Sequence, residues 1–104
     1  MIAFDGVPAI YFNSIFGTSN DEHKYIISGN KRDLNRYKWN KKKLENQLKY
    51  KKSKQNLFYH KITNLISIKK QNKAFHPNAK REIIDMGKKI FCFKRTSLDN
   101  KQII

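Results

Sequence analysis

The sequence predicts an α/β chain, because three hydrophobic patterns follow one another along its 104 residues. A continuous apolar run, VPAIYF at 7–12, is typical of a strand buried on both faces of a parallel sheet. Apolar residues at helical spacing then occupy 41–71, and alternation of apolar and polar residues begins at 81. The predicted order is therefore a strand, a pair of helices and an antiparallel β meander.

A long loop follows the predicted first strand. Pro8 lies near the start of that strand, where a missing N–H is best tolerated. Residues 13–30 contain Gly17, Gly29 and many hydrogen-bonding side chains, although 14–16 could form a helical turn. Loops of this length in small domains are usually functional or disordered, so this loop is the first place to look for function.

The first predicted helix covers 41–52. Leu44 and Leu48 lie one turn apart in it, and Glu45 precedes Lys49 by four residues in the favourable orientation for an ion pair. Its other faces are nearly all lysine, which is typical of a solvated surface.

Ser53 is predicted to cap a longer helix that runs to about Gln71. The apolar stripe of this helix consists of Phe58, Ile62, Leu65 and Ile66, joined by Leu57 and Ile68 at compatible spacing. Pro77 marks the end of the helical region, because proline has no amide donor and restricts the preceding residue to extended geometry.

Antiparallel strands are predicted after this break. Residues 81–86 and 88–95 are expected to pair through a turn at Met86-Gly87. Asp99-Asn100 is a second turn signal, and it leads into 102–104, the start of a third strand.

The chain is strongly basic, with a formal net charge of +15 and an isoelectric point near 10.1. Such a charge attracts nucleic acid and other polyanions. However, 19 of the 23 basic residues are lysine, and asparagine and isoleucine are also abundant, which indicates a coding bias toward A/T-rich codons. We therefore rank a drifted, solvated surface ahead of polyanion binding.

Cys92 is the single cysteine, so the sequence allows no internal disulfide and no cysteine-based metal cluster. It contains no apolar run of about 18 residues that could span a bilayer, and 1–12 lacks the basic start and cleavage site of a secretory signal. We expect a cytoplasmic chain that uses no cofactor and no metal and has no membrane partner.

Several sequence blocks occur in an order and at a spacing that a known family shares. GVPAIYF at 6–12 looks like the eighth-strand signature of the α-amylase family of glycoside hydrolases. Four further blocks narrow the resemblance to the sucrose phosphorylase-like branch: SIFGTSND at 14–21, GNKRDLNRYKW at 29–39, LISIKKQNKAFHPNA at 65–79 and IFCFKR at 90–95. Together the blocks cover nearly the whole chain.

The resemblance implies an α/β fragment. Residues 1–75 would be the last strand, active-site loop and final helices of a (β/α)8 catalytic barrel, and 76–104 the first strands of a small antiparallel β domain. In the family, a nucleophile, an acid/base and a supporting aspartate follow strands 4, 5 and 7, which are expected upstream of this piece. The chain is therefore expected to hold no catalytic residue and to be inactive alone.

The resemblance also implies the partners. Enzymes of this kind transfer a glucosyl group through a covalent glycosyl intermediate, and a phosphorylase releases that group to phosphate. We expect a sugar and inorganic phosphate to bind only in the context of a complete barrel. A complementary upstream fragment is a further expected partner.

Substrate-binding residues are expected in the loop, because barrel active sites lie at the C-terminal ends of the strands. Arg32 matches an arginine that reaches the sugar or the phosphate in sucrose phosphorylase-like enzymes, and a guanidinium suits both. Asn20 and Asp21 match the ND of the preceding loop, and sugar contact and turn formation both stay open for them. Asp33 and Arg36 are expected to pair with each other.

The remaining chemical residues are expected to be structural. His23, His60 and His76 are far apart in sequence and lack the spacing of metal ligands. Trp39 with Tyr37 could stack on a sugar or a base, but one aromatic pair at the start of a helix is more often packing.

Two other functions are kept as hypotheses. A small basic nucleic-acid-binding protein would explain the charge, although arginine is scarce and the sequence shows no recognised DNA- or RNA-binding motif. A folded adaptor that uses the helix pair is the third hypothesis. It predicts cooperative melting of the chain by itself.

Overall fold

The structure is a computed structural model that describes residues 2–104. Within this range it has helices α1 Phe12–Ile15, α2 Glu22–Ser28, α3 Lys41–Lys49 and α4 Lys54–Gln71, 3₁₀ turns Lys31–Asn35 and Lys73–Phe75, and strands β1 Lys80–Asp85 and β2 Phe91–Thr96. The chain is thus an α/β segment, as predicted. No helix in the described range is both long and apolar enough to cross a bilayer.

The elements form two compact units. The loop unit is Ile10–Thr63, and the sheet unit is Asn64–Ile104 together with the described residues up to Ala9. Each unit has its own organisation, and the candidate site lies in the loop unit.

The strand predicted at 7–12 is not formed in this structure. Residues 7–11 have no partner strand within the described part of the chain, and α1 begins at Phe12. Val7 is 84% exposed, so this run is not buried either. A parallel strand needs hydrogen-bonded neighbours and cover on both faces, and residues 2–104 supply neither. The helical turn expected near 14–16 is present as α1.

Both predicted helices are confirmed. Asn40 caps α3, because its Oδ1 accepts from the Lys43 N–H, and the helix buries Leu44. Ser53 caps α4 as predicted, since its Oγ accepts from the Asn56 N–H at 3.0 Å. Local capping groups therefore set the start of each helix.

The helices differ from the prediction in three details. The first helix ends at Lys49 and not at residue 52. Glu45 pairs with Lys41 at 3.9 Å and not with Lys49. The predicted apolar stripe of α4 stays substantially exposed at Leu57, Phe58, Leu65 and Ile68. Along this fully described helix the one buried residue is Asn56, so the stripe does not form a core here.

The antiparallel strand pair is confirmed with a longer turn than predicted. β1 and β2 pair along their whole length, and 86–90 connect them. Asp85 Oδ1 accepts from the Gly87 N–H at 2.9 Å, and Gly87 adopts a φ of +81°, which glycine tolerates. Ile103 forms a single antiparallel bridge with Thr96, where the third strand is predicted to begin.

A buried arginine is the centre of the sheet unit. Arg95 on β2 is 1% exposed. Its guanidinium donates to the carbonyl oxygens of Ala74, His76 and Ala79 at 2.8, 2.7 and 3.3 Å. It also donates to the Asp5 carboxylate at 2.6 Å. The Arg95 side chain therefore connects three parts of the sheet unit: Asp5, the residues that follow α4, and the strand pair.

The loop unit has a small apolar centre at the end of α1. Phe16 is buried, with the Phe12 ring edge-on at 5.0 Å and the Tyr59 ring stacked at 5.9 Å between centroids. Gly17 follows with a φ of +56°. A Cβ added at Gly17 would lie 2.5 Å from the ring of Phe58, so this approach requires glycine.

Candidate functional site

The candidate site is an open pocket of about 340 Å³ in the loop unit. It is lined by the run 18–23, by Tyr37 and Trp39 before α3, and by Gln55 in the first turn of α4. This volume is at the lower end of the roughly 300–1,000 Å³ that small-molecule pockets usually have. A ligand about the size of one sugar ring suits it.

Asp21 fixes one wall of the pocket. Its Oδ1 accepts from the Lys24 N–H at 3.0 Å and caps α2. Its own N–H donates to the Leu34 carbonyl at 2.7 Å. The structure thus shows the local capping role that the sequence left open for Asp21, and its sugar contact stays a prediction.

An ion pair joins α2 to the 3₁₀ turn Lys31–Asn35. Lys24 Nζ lies 2.8 Å from Asp33 Oδ1. The hydrogen bond from Lys24, followed by one from the Ser28 hydroxyl, lowers the pKa of Asp33. The predicted pairing of Asp33 with Arg36 is therefore wrong. Lys24 takes that place because α2, which the sequence did not predict, brings its ammonium group to the carboxylate.

Trp39 is held in a defined orientation. Its Nε1–H donates to Thr18 Oγ1 at 2.9 Å, and its ring meets the Tyr37 ring edge-on at 5.0 Å between centroids. Buried Asn13 donates through Nδ2 to the Tyr37 carbonyl at 2.9 Å. The aromatic pair therefore packs as predicted, and both rings also line the pocket.

The start of α4 completes the pocket. Gln55 is half-buried in the lining. The preceding residue, Lys54, donates through Nζ to Ser19 Oγ at 2.9 Å and thereby ties the helix to the rim. The same ammonium group lies 5.9 Å from the centroid of the Phe58 ring.

Two of the three predicted substrate-binding residues meet at this pocket. Asn20 and Asp21 line it, whereas Arg32 is not part of the lining. Arg32 is exposed in the 3₁₀ turn, where its backbone N–H donates to Asn30 Oδ1 at 3.0 Å. Its side chain is thus accessible to a ligand outside the pocket.

The sequence did not predict that α4 and the aromatic pair line the pocket. Gln55 was not singled out, and Tyr37 and Trp39 were assigned to packing. His23, expected to have no role in ligand binding, is exposed and also lines the pocket. The available signal was Trp39, because a single tryptophan beside a polar loop is a candidate sugar-stacking face.

The groups that line the pocket are suited to binding a ligand rather than to catalysis. Among residues 2–104, no three His, Cys, Asp or Glu side chains are grouped closely enough to hold a metal ion. Asp21 and Glu22 are neighbours at the start of α2, whereas the catalytic carboxylates of a glycosidase flank the substrate from two sides. Amide, hydroxyl and carboxylate groups beside aromatic rings can instead bind sugar hydroxyls.

Known proteins similar to this chain are glucosylglycerate phosphorylases. That of Escherichia coli (strain K12) is 29% identical over 99 residues, 95% of this chain and 18% of the relative. That of Allomeiothermus silvanus is 32% identical over 84 residues, 81% of this chain and 15% of the relative. That of Spirochaeta thermophila is 23% identical over 99 residues, 95% of this chain and 17% of the relative.

The chain spans less than a fifth of the length of these curated relatives. No protein-family profile matches it, and no solved structure matches it. The similarity supports a relationship to phosphorylase-like, glycosyl-transferring enzymes of carbohydrate metabolism. The resemblance found in the sequence is thus confirmed at this level, and the barrel origin of the segment stays a prediction.

Proposed function

We propose that these residues form the end of the catalytic barrel and the start of the β domain in a phosphorylase-like, glycosyl-transferring enzyme. The observation that carries the proposal is the match of 81–95% of the chain to three glucosylglycerate phosphorylases. In this proposal 1–75 belong to the barrel and 76–104 to the β domain. The reaction of the whole enzyme is transfer of a glucosyl group from glucosylglycerate to inorganic phosphate, which forms glucose phosphate and releases glycerate.

Exposed apolar side chains support the proposal that another part of the enzyme covers this segment. Val7, Tyr11 and Phe12 project from the run that the sequence predicts as a buried strand, and all three are largely exposed. Ile26 and Ile27 on α2 are also largely exposed. Contiguous exposed apolar surface is typical of sites that another protein segment, a membrane or a ligand covers. In the proposed enzyme, the upstream barrel strands cover the run 7–12 and give it the hydrogen-bonded neighbours of a parallel strand.

The segment binds substrate in this proposal and leaves the chemistry to upstream residues. A retaining mechanism needs two carboxyl groups about 5–5.5 Å apart, one as nucleophile and one as acid/base. Asp21 instead caps a helix, and its neighbour Glu22 begins the same helix. Arg32 is the residue proposed to contact phosphate or sugar, because its exposed guanidinium offers a planar fork of donors.

Complementation tests the proposal. The part of the Escherichia coli relative that precedes the segment matched by this chain is produced alone, and the 104 residues are supplied either separately or fused to it. We expect phosphate-dependent consumption of glucosylglycerate, with formation of glucose phosphate, in the presence of both parts and with neither part alone.

Variants sharpen this experiment. Arg32→Ala should lower kcat/KM of the complemented enzyme by about 10- to 100-fold, the loss expected for a hydrogen bond to a charged group. Lys61→Ala, at an exposed position of α4, is the matched control and should have no effect. Phosphorolysis by the 104 residues alone would contradict the proposal that the catalytic residues lie upstream of this segment. Absence of activity with an excess of a folded upstream part would contradict the complementation itself.

A further inference from the structure

The sheet unit contains an aspartate–glycine pair at 5–6. Asp5 is the one aspartate of the sequence that precedes a glycine, because the others precede larger residues. Glycine has no Cβ, so the backbone nitrogen that follows Asp5 is sterically open. In such a pair this nitrogen can attack the side-chain carboxyl group, and the product is a cyclic succinimide. The sequence therefore supplies a site at which the backbone can rearrange without an enzyme.

The rearrangement needs no reagent other than water. The Gly6 nitrogen forms a bond to Cγ of Asp5, and the bond from Cγ to one carboxyl oxygen breaks. That oxygen leaves as water, together with the carboxyl proton and the amide proton. Water then opens the ring. Attack at Cγ restores aspartate, whereas attack at the backbone carbonyl carbon gives isoaspartate, in which the main chain runs through Cβ and Cγ.

Both reacting groups of the pair are engaged in the folded chain. Asp5 Oδ1 accepts from Arg95 Nη1 at 2.6 Å, and Asp5 Oδ2 lies 3.3 Å from Arg81 Nε. These two contacts form the arginine clamp. The Gly6 N–H donates to the Pro77 carbonyl oxygen at 3.4 Å. Because the carboxyl group must turn toward the Gly6 nitrogen to react, cyclisation requires release from both the clamp and Pro77.

Contacts protect this site, and burial does not. The Asp5 side chain is 45% exposed, so water reaches the carboxyl group. No atom of the described residues lies within 4 Å of a Cβ added at Gly6, so packing leaves room for the ring. Arg95 is itself buried and holds the carboxylate from the inside of the sheet unit. The rate of cyclisation therefore depends on how often the clamp opens.

We propose that Asp5-Gly6 is an isomerisation site that the arginine clamp keeps unreactive, and that opening of the sheet unit converts it to isoaspartate. In isoaspartate the free carboxylate is attached directly to Cα, so it lies one atom closer to Phe4. It cannot then reach both arginines while Phe4 keeps its stack on Phe93. The product is thus a persistent mark of a chain whose sheet unit has opened.

Isotope incorporation tests the proposal on the full chain. The protein is incubated at neutral pH in ¹⁸O-labelled water, with and without guanidinium chloride, and then digested with trypsin. Each passage through the succinimide introduces a heavy oxygen. Electron-transfer fragmentation of the tryptic peptide 1–24 distinguishes label at Asp5 from label at Asp21 and identifies isoaspartate. We expect the rate at Asp5 to be at least about 10-fold lower in buffer than in guanidinium chloride, because local opening limits it. Equal rates in the two solvents would overturn the proposal.

Variants separate the clamp from general folding. Arg81→Met removes the partly exposed half of the clamp and should raise the rate in buffer about 2- to 5-fold. Arg95→Met removes the buried half and should bring the rate in buffer to within about 3-fold of the denatured rate. Lys80→Met is the matched control, because Lys80 lies on the same strand and pairs with Glu82. An unchanged rate for Arg81→Met, or an equal acceleration by Lys80→Met, would overturn the role of the clamp.

Gly6→Ala tests the chemistry itself. Its methyl group crowds the attacking nitrogen, so the rate in guanidinium chloride should fall below that of the original chain. Only the denatured rates are compared, because Gly6 has a φ of +78° and alanine would be strained there in the folded chain. A denatured rate equal to that of the original chain would show that the label does not enter through attack by the Gly6 nitrogen, and would overturn the proposal.

Discussion

The two units of the molecule are stabilised by different kinds of centre. In the sheet unit, the guanidinium of Arg95 satisfies carbonyl oxygens and the Asp5 carboxylate at distances of 2.6–3.3 Å. In the loop unit, Phe16 and Leu44 are the buried apolar residues, and side-chain caps fix the starts of α2, α3 and α4. The sheet unit therefore depends on one buried charge, and the loop unit depends on close packing and local geometry.

This difference indicates where each unit is vulnerable. A buried polar group costs free energy as soon as its partner is removed, because desolvation is no longer compensated. A close contact between a glycine backbone and a side chain is instead disrupted when any atom is added between them. Substitutions that act on one kind of centre should leave the other unit largely unaffected.

Arg95→Met should give the largest effect. It leaves the carbonyl oxygens of Ala74, His76 and Ala79 without their donor, and we expect a loss of about 3 kcal/mol in the free energy of unfolding. Urea denaturation followed by circular dichroism measures the loss. Hydrogen exchange should show that the amides of β2 lose protection before those of α3.

Arg81→Met is the matched control for this substitution. Arg81 also contacts Asp5, through Nε at 3.3 Å, but its side chain is partly exposed. We expect a loss below about 1 kcal/mol, as is usual for exposed ion pairs. Equal losses for Arg81→Met and Arg95→Met would show that the buried guanidinium is not the centre of the sheet unit.

Gly17→Ala tests the loop unit and should have an intermediate effect. Gly17 has a φ of +56°, and an added Cβ would meet the Phe58 ring at 2.5 Å, so we expect about 2–3 kcal/mol of destabilisation. Gly29→Ala is the control, because its φ is +65° and nothing lies within 4 Å of the added Cβ. That variant should lose only about 1 kcal/mol from backbone strain. Equal thermal shifts for the two variants would exclude the Phe58 contact as the cause.

Acid titration should give the smallest effect, and mainly in the sheet unit. A hydrogen bond from Lys94, followed by one from Lys80, lowers the pKa of Glu82 to about 2. Hydrogen bonds from the Ser97 hydroxyl and then the Lys101 N–H lower the pKa of Asp99 to about 2.

Because both pKa values are lowered on folding, the stabilisation is complete above the ordinary values of 4.5 and 3.8 and is lost as the pH falls toward 2. Melting temperatures are measured between pH 6 and pH 2. They should decrease as the pH drops from 4.5 toward 2. The fall should be shallower in Asp99→Asn. An identical pH profile for this variant would show that the Asp99 carboxylate does not contribute.

The sequence predicted elements whose signals are local. The start of α3 follows from helical periodicity, the start of α4 from Ser53 beside helical periodicity, and the strand pair from alternation on both sides of a glycine turn. The strand predicted at 7–12 does not form, because its signal is not local. Its apolar pattern specifies cover on two faces, and cover depends on residues outside the run.

Features made by distant residues were harder to predict. The burial of Arg95 depends on carbonyl oxygens from a segment about 20 residues earlier and on Asp5, so a basic residue at the end of a strand gave no sign of it. Of the residues that line the pocket, Asn20 and Asp21 were singled out as substrate-binding candidates through the family resemblance, and that role stays a prediction. Gln55 was not singled out, because α4 brings it to the loop from more than 30 residues further along the chain.

The contact between Asp5 and Arg95 also affects how the protein is made. The two side chains are 90 residues apart in sequence, so their ion pair can form only after nearly all of the segment has left the ribosome. Until then, the aromatic ring of Phe4, which stacks on Phe93 in the folded chain, has no partner. Because closure of such a long loop is entropically costly and slow, chaperones or neighbouring chains have time to bind the residues around Phe4 before the loop closes.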